Sequence, residues 1–175
     1  QLKQVMPDTK LLLAGPEVSY NSTEIMEQYT FIDGIIRGEG EAALIPLLKH
    51  LQSKTPAASV PSFTYRIGQH IAETEQASPI SLSQLPFPYP DLEKEKGRIL
   101  YFECSRGCPF QCGYCLSSIE KGVRFMPLEQ VYQCLDLFLS KDVPQVKFVD
   151  RTFNCNKAYA FSIWNYLKEH DNGIT

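Results

Sequence analysis

The chain has 175 residues, 43% of them apolar, and a formal net charge of −3. This length and composition are typical of one globular domain or parts of two, and the small negative charge gives no sign of a nucleic-acid-binding surface. No apolar run reaches the roughly 20 residues of a membrane span, and no secretory leader pattern is present. We therefore expect a cytoplasmic protein whose six cysteines are thiols or metal ligands rather than disulfides.

Strand and helix signals alternate over residues 1–51. Short apolar runs at 10–15 and 31–37 predict two buried parallel strands. Between them, Ser22 or Thr23 is the expected cap of a helix. A run of helically spaced leucines follows, and its internal proline should kink that helix or mark its start. This order predicts half of an open α/β sheet.

Residues 52–97 differ in composition from the parts on either side. Six of the twelve prolines fall here, which predicts an extended connector. Within it, Gly68-Gln69 separates two short runs in the manner of a hairpin with a two-residue turn. We therefore place a linker with a β-hairpin between a domain at 1–51 and a second domain at 98–175. Because the chain begins with Gln1 and almost directly on a strand, we expect a fragment of a longer protein.

A second strand–helix series begins at residue 98. The run "RILYFEC" predicts a strand that is apolar on both faces, and "QVKFVD" predicts the next strand. Pro127 marks the start of the helix between them, and Asn156 is the expected cap of the helix that follows. Two strand–helix units are too few to close a barrel.

Three cysteines, Cys108, Cys112 and Cys115, form C-x3-C-x2-C on the loop directly after the strand at 98–103. The end of a strand is where α/β folds place their chemistry. Three thiolates at this spacing can hold three irons of an iron–sulfur cube and leave the fourth iron open. Cys104 is near enough in sequence to be a fourth ligand, but we expect it to pack at the strand end. Structural zinc is the rival interpretation, and it is disfavoured because the three histidines lie far from the triad.

The segment "CPFQCGYC" resembles the C-x3-C-x-aromatic-C signature of the radical S-adenosylmethionine (radical SAM) superfamily. "LAGPEVS" and "IIRGEGE" resemble the last strands of the cobalamin-binding domain that is often fused ahead of it. "LPFPYPD" and "GRILYFECSRGCPF" resemble the linker and entry strand of such fusions, and "FVDRTFNCN" resembles their second barrel strand. The resemblance implies an α/β fold with three parts: the C-terminal half of a Rossmann-like, doubly wound cobalamin-binding domain, a linker with a hairpin, and the first two βα units of a partial TIM-type (β/α) radical SAM barrel.

The resemblance also implies cofactor sites. Carried over residue by residue, the three cysteines of the signature would hold a 4Fe–4S cluster whose open iron binds S-adenosylmethionine. Tyr114 would lie beside the adenine and Asp150 near the methionine or ribose part, with Arg151 and Asn154 as weaker cofactor-binding candidates. Strand alternation independently places Asp150 on the same face as Phe148. The structural alternatives are a packed loop aromatic for Tyr114 and a helix-side or turn-capping role for Asp150.

In the first domain, the resemblance implies that a corrinoid would bind at one edge of the sheet. Gly15 and Gly38 would let the backbone approach the nucleotide tail of a corrinoid at strand ends, and Glu17 and Glu39 line the same edge. The histidine-bearing corrinoid loop of many cobalamin proteins would precede residue 1. Cobalamin is therefore left open as a third cofactor, beside the 4Fe–4S cluster and S-adenosylmethionine.

The implied function is that of a radical SAM enzyme fragment. Its reduced cluster would cleave S-adenosylmethionine to a 5′-deoxyadenosyl radical, for cobalamin-dependent methyl transfer or related radical chemistry on an unknown substrate. An electron donor such as flavodoxin or ferredoxin is implied, whereas no membrane or nucleic acid is indicated as a partner. The alternatives are an RNA methylthiotransferase, disfavoured because no cysteine precedes residue 104, and a non-enzymatic zinc or iron–sulfur module. We expect the isolated fragment to be inactive, because part of a barrel leaves strand edges open.

Overall fold

The computed structural model describes residues 2–119, 122–141 and 143–170. The chain divides into two compact units, Gln1–Ile80 and Ser81–Thr175. Among the helices in the described ranges, none combines the length and the apolar character that crossing a bilayer requires.

The first unit is a mixed sheet with helices between its strands. Its helices are α1 Leu2–Val5, α2 Pro16–Ser19, α3 Ser22–Gln28 and α4 Glu41–Leu51. Its strands are β1 Leu12–Ala14, β2 Gly34–Ile36, β3 Phe63–Ile67 and β4 His70–Glu73, in the sheet order β1-β2-β3-β4.

The two predicted parallel strands are confirmed. β1 pairs in parallel with β2, with Leu12 opposite Gly34 and Ala14 opposite Ile36. The hairpin predicted around Gly68-Gln69 is also present, and Gly68 has the positive φ of 59° that its tight turn needs. Its first strand, β3, pairs antiparallel with β2, so the hairpin extends the sheet of the first unit instead of standing in a separate connector.

One local prediction in the first unit is wrong, and one of the two alternatives for Pro46 is excluded. Neither Ser22 nor Thr23 caps α3, because the N-cap position is Asn21 and both hydroxyls instead donate to the Glu73 carboxylate on β4. Pro46 does not mark the start of the next helix, because α4 begins at Glu41 and keeps the proline in its interior. For Ser22 and Thr23, a contact with another strand of the unit outweighs the local capping signal.

The described residues of the second unit form two small sheets and two long helices. Its strands are β5 Ile99–Phe102, β6 Ser105–Cys108, β7 Gly122–Phe125 and β8 Gln145–Phe148, and its helices are α5 Leu128–Leu139 and α6 Lys157–Glu169. β5 pairs in parallel with β8, and β6 pairs antiparallel with β7. Pro127 does precede α5, and the Asn156 side chain caps α6 by accepting from the Tyr159 N–H at 3.1 Å.

The core of the second unit lies on one side of the β5–β8 pair. Leu100 and Phe102 of β5 are buried there against α5 and α6, whereas Ile99 and Tyr101 are exposed. β5 is thus apolar on both faces, as its sequence indicates, but the described residues of this unit cover only one of them. Phe138 of α5 is at the centre of this core, and it contacts the rings of residues 87, 89 and 102.

Candidate metal centre

The carboxyl ends of β5 and β8 are held together just beyond the strands. The Val149 N–H donates to the Phe102 carbonyl at 2.9 Å, which continues the parallel ladder by one step. The Asp150 carboxylate then accepts from the Cys104 N–H at 3.4 Å and from the Ser105 hydroxyl. The segment that leaves β5 is thus attached to the segment that leaves β8, at the edge where α/β folds place their chemistry.

The cysteine triad was expected on a loop that directly follows β5, but it does not lie there. Two residues after β5 the chain forms β6, and Cys108 is the last residue of that strand. Cys108 is paired with Gly122 of β7, so β6 and β7 form a hairpin, and the described residues 109–119 lie in its loop. This pairing anchors the first cysteine of the triad to regular structure and leaves the other two on the loop.

Gly107 allows the two strands of this hairpin to approach each other. Its φ is +106°, and a Cβ atom added there would lie 2.2 Å from the Gly122 carbonyl oxygen. No real Cβ atom tolerates that distance from a backbone atom, and L-residues with side chains rarely adopt that φ. Gly107 therefore sets the approach of β6 to β7 next to Cys108.

Replacing Gly107 with alanine is expected to destabilise the second unit by about 1–3 kcal/mol, because the backbone must distort to admit the new methyl group. The free energy of unfolding in urea measures this loss. Gly113→Ala is the matched control, since a Cβ atom there meets nothing within 4 Å. We expect the control to change stability by no more than about 0.5 kcal/mol. Equal stabilities for the two variants would contradict this role of Gly107.

The loop that follows β6 carries the other two cysteines of the triad. The Cys115 N–H donates to the Cys112 carbonyl at 3.0 Å, so the two residues share a turn. The Ser118 hydroxyl donates to the Cys115 carbonyl at 2.6 Å and closes the next turn. Tyr114, between the two cysteines, is 94% exposed, so the alternative of a packed loop aromatic does not describe it.

Cys108 has an environment that favours its thiolate. Its sulfur lies 3.4 Å from the Thr152 hydroxyl, in the segment after β8. Hydrogen bonding from Thr152, a second bond from the Phe110 backbone and the charge of Arg151 lower the pKa of the Cys108 thiol below its ordinary value of 9.0. Since the thiolate is the form of cysteine that binds metal, this environment suits a ligand.

Cys104 has the opposite environment. It is fully buried in the core, and its thiol donates to Asp150 at 3.2 Å. Burial, followed by the nearby Asp150 charge, raises the pKa of the Cys104 thiol far above its ordinary value. The adjacent backbone is also fixed, because the Tyr159 hydroxyl donates to the Cys104 carbonyl at 3.2 Å and to the Met126 carbonyl at 2.7 Å. These contacts agree with the interpretation of Cys104 as a packed residue at the strand end.

Within the described ranges, no three His, Cys, Asp or Glu side chains converge as a ready ligand set. The cysteine triad is therefore present as three free thiols on one hairpin and not as a closed cage. Their chemistry nevertheless fits an iron–sulfur cluster, since soft thiolates are its ligands and Cys112 and Cys115 lie on an irregular loop that can close around it. The assignment of these three residues as ligands stays a prediction.

The predicted cofactor-binding residues beyond β8 separate into two groups. Asp150 is half-buried, and its carboxylate is engaged by Cys104 and Ser105, on the side of the core that the helices cover. This geometry corresponds to the helix-side alternative for Asp150. Arg151 and Asn154 are exposed. Direct contact of any of these three residues with a cofactor stays a prediction.

In the first unit, Gly15 and Gly38 do come together at the carboxyl edge of β1 and β2. The Ser19 hydroxyl links them, because it donates to the Gly15 carbonyl at 2.7 Å and accepts from the Gly38 N–H at 2.9 Å. Glu17 is exposed on α2, and Glu39 is half-buried directly after Gly38. The structure thus places the four predicted residues near one edge, and their contact with a corrinoid stays a prediction.

No protein-family model matches the chain. An uncharacterized methyltransferase of Pyrococcus horikoshii is 28% identical over 95% of this chain and 39% of the relative. The cobalamin-dependent radical SAM methyltransferase TokK of Streptomyces tokunonensis is 26% identical over 87% of this chain and 24% of its own length. The anaerobic magnesium-protoporphyrin IX monomethyl ester cyclase of a Synechocystis species is 28% identical over 65% of this chain and 24% of its own length. The chain thus spans less than two fifths of each of these relatives.

Solved structures show the same fold. The cobalamin-dependent S-adenosylmethionine radical enzyme OxsB, with aqua-cobalamin and S-adenosylmethionine bound, matches 90% of this chain with a TM-score of 0.68 and 21% identity. The radical S-adenosylmethionine methyltransferase TsrM of Kitasatospora setae, with cobalamin and a [4Fe-4S] cluster bound, matches 93% with a TM-score of 0.65 and 17% identity. The chain covers 23% and 34% of those two proteins.

The relatives of this chain thus include a cobalamin-dependent radical SAM methyltransferase. The resemblance that the cysteine signature indicates is thereby confirmed, and so is a mixed α/β fold of the kind found in these enzymes.

The sequence analysis missed several residues that shape this candidate site. Ser105 and Thr152 contact Asp150 and Cys108 across more than 40 positions of sequence. Ser19 likewise links two glycines at the other candidate edge. The signal available for Thr152 is its position in "FVDRTFN", two residues beyond Asp150, which places it on the same segment without showing what it touches.

Proposed function

We propose that this chain carries the cluster-binding part of a radical SAM enzyme, which acts with cobalamin to transfer a methyl group. The proposed architecture places the first two βα units of a partial radical SAM barrel at 98–175. The C-terminal part of a Rossmann-like cobalamin-binding domain would lie at 1–51, and the connector at 52–97 would add its hairpin to the sheet of that domain. The homology to cobalamin-dependent radical SAM methyltransferases supports this proposal.

One observation carries the proposal. A hairpin at the carboxyl edge of β5 and β8 presents three cysteines at the spacing of a radical SAM signature, while Cys104 is withheld in the core by Asp150. Three available thiols and one withheld thiol match a cube with one iron free of cysteine. An electron-transfer cluster would instead normally use a fourth cysteine.

Each group of residues has a proposed task. Cys108, Cys112 and Cys115 would hold a 4Fe–4S cluster, and the exposed Tyr114 ring between them would lie against the adenine of S-adenosylmethionine. The bound cluster and S-adenosylmethionine supply reductive cleavage to a 5′-deoxyadenosyl radical. The chain's own residues would bind and orient these cofactors and exclude water from them. Asp150 would contribute by holding the segment that leads into the hairpin.

The remaining features of the whole enzyme are also proposals. The relatives include methyltransferases and a cyclase, so we propose methyl transfer as the first candidate outcome and related radical chemistry as the second. An electron donor such as flavodoxin or ferredoxin would reduce the cluster, and we propose a cytoplasmic location. The methylthiotransferase and zinc-module alternatives are not favoured, because the relatives are of a different kind and the chain lacks cysteines before residue 104.

Anaerobic reconstitution of the full-length protein with iron and sulfide tests this function. We expect about four irons per chain, and an absorption and electron paramagnetic resonance spectrum of a single 4Fe–4S cluster. Reduction in the presence of S-adenosylmethionine should then yield 5′-deoxyadenosine or methylated product. Zinc in tetrahedral sulfur coordination, with no iron retained, would overturn the proposal.

A further inference from the structure

The Thr152 hydroxyl is directed at one sulfur of the cysteine triad. Its Oγ1 atom lies 3.4 Å from the Cys108 sulfur, within hydrogen-bonding range for sulfur. Both side chains are half-buried. The contact joins the segment after β8 to the last residue of β6, 44 positions apart in sequence.

Thr152 is held in place by contacts on both sides of it. Two residues before it, Asp150 is bonded to Cys104 and Ser105 at the start of β6. On its other side, the Cys155 N–H donates to the Thr152 carbonyl at 3.1 Å and closes a turn. The segment after β8 therefore contacts both ends of β6. Asp150 accepts from Ser105, the first residue of β6, and Thr152 contacts Cys108, its last residue.

The direction of this hydrogen bond is determined once a metal is bound. In the free protein either the thiol or the hydroxyl can donate. A cysteine sulfur bound to iron has lost its proton, so only the Thr152 hydroxyl can then be the donor. A hydrogen bond to a ligating sulfur stabilises negative charge on the cluster, and it therefore favours the reduced state and raises the reduction potential.

We propose that Thr152 is a positioning residue for the cluster: its hydroxyl donates to the Cys108 sulfur and makes the cluster easier to reduce. This inference rests on the proposed function, since it requires iron on Cys108. One electron from an external reductant enters the cluster in the affected step, and no bond of Thr152 is made or broken. The residue would thereby assist the electron transfer that precedes cleavage of S-adenosylmethionine.

The test compares the reduction potential of the reconstituted full-length protein with that of two variants. Thr152→Val keeps the shape of the side chain and removes the hydroxyl, whereas Thr152→Ser retains the hydroxyl. With equal iron content, the valine variant should show an approximately tenfold weaker one-electron reduction equilibrium, about 59 mV more negative. The serine variant should stay close to the wild type. Ser118→Ala is the loop control, because its hydroxyl bonds a carbonyl and not a sulfur.

A second measurement detects the hydrogen bond itself, by electron–nuclear double resonance. The reduced wild-type cluster, exchanged into deuterated water, should show coupled exchangeable deuterons, and the folded valine variant should lose the one from Thr152 while it keeps the one from the Phe110 N–H. The same couplings in the wild type and the valine variant, or an equal potential in all variants, would overturn the role of Thr152. An equal shift in Ser118→Ala would do the same. A wild-type protein that takes up no iron would instead refute the proposed function, so the two failures are distinguishable.

Discussion

Cys112→Ala in the full-length protein is expected to abolish cluster retention and cleavage of S-adenosylmethionine. Cys112 is exposed on the hairpin loop, and it supports the turn through its backbone, because its carbonyl accepts from the Cys115 N–H. Alanine therefore removes a thiol while leaving the turn intact. A cube held by two thiolates should lose iron. We expect activity to fall by more than about 100-fold, which exceeds the loss that is usual when a residue contacting a metal ligand is replaced.

Cys155→Ala is the matched control for this variant. Cys155 is also a free thiol in the second unit, but it lies outside the triad in the segment after β8. The control should retain iron and activity, as measured by iron analysis and by 5′-deoxyadenosine formation. Equal iron loss in the two variants, or full activity in Cys112→Ala, would contradict the three-ligand assignment.

Phe138→Ala is expected to have the largest effect on stability. Phe138 is 1% exposed at the centre of the second unit, with ring centroids 5.2 Å from Phe87, 5.9 Å from Tyr89 and 5.7 Å from Phe102. Removing the ring leaves a cavity that rigid neighbours fill only in part. We expect a loss of about 3–5 kcal/mol in the free energy of unfolding. Urea unfolding of this chain, followed by the fluorescence of Trp164, measures it.

The neighbouring residue on α5 provides the control. Leu137 is 44% exposed, so Leu137→Ala removes little buried surface from the same helix. Its stability should change by no more than about 0.5–1 kcal/mol. A Phe138→Ala loss as small as that of Leu137→Ala would show that this side of α5 does not pack against the β5–β8 pair.

The local signals of the sequence were strongest where neighbours along the chain decide the structure. The parallel strands around Leu12 and Gly34 follow from short apolar runs, and the hairpin at Gly68 follows from its turn chemistry. The cap at Asn156 depends on a bond to a residue three positions away. Each of these features involves interactions within a strand, a turn or one helical turn, which a residue pattern records directly.

Predictions that depended on distant partners were less successful. Ser22 has the chemistry of a helix cap, but β4 supplies the carboxylate that its hydroxyl bonds. Ile99 and Tyr101 have the apolar character of a covered strand face, yet the described helices cover only the opposite face of β5.

By itself, the sequence determined the spacing of the three cysteines, and hence the kind of metal centre that is predicted, because ligand type and separation are properties of one short segment. Only the tertiary structure decided how that segment is held: Cys108 ends a paired strand, Cys104 is withdrawn into the core, and Thr152 lies beside the Cys108 sulfur. The physical reason is that these contacts join the segments that follow β5 and β8, which lie more than 40 residues apart in the sequence. Strand pairing and core packing bring the carboxyl ends of the two strands together, and no residue pattern along the chain predicts that contact.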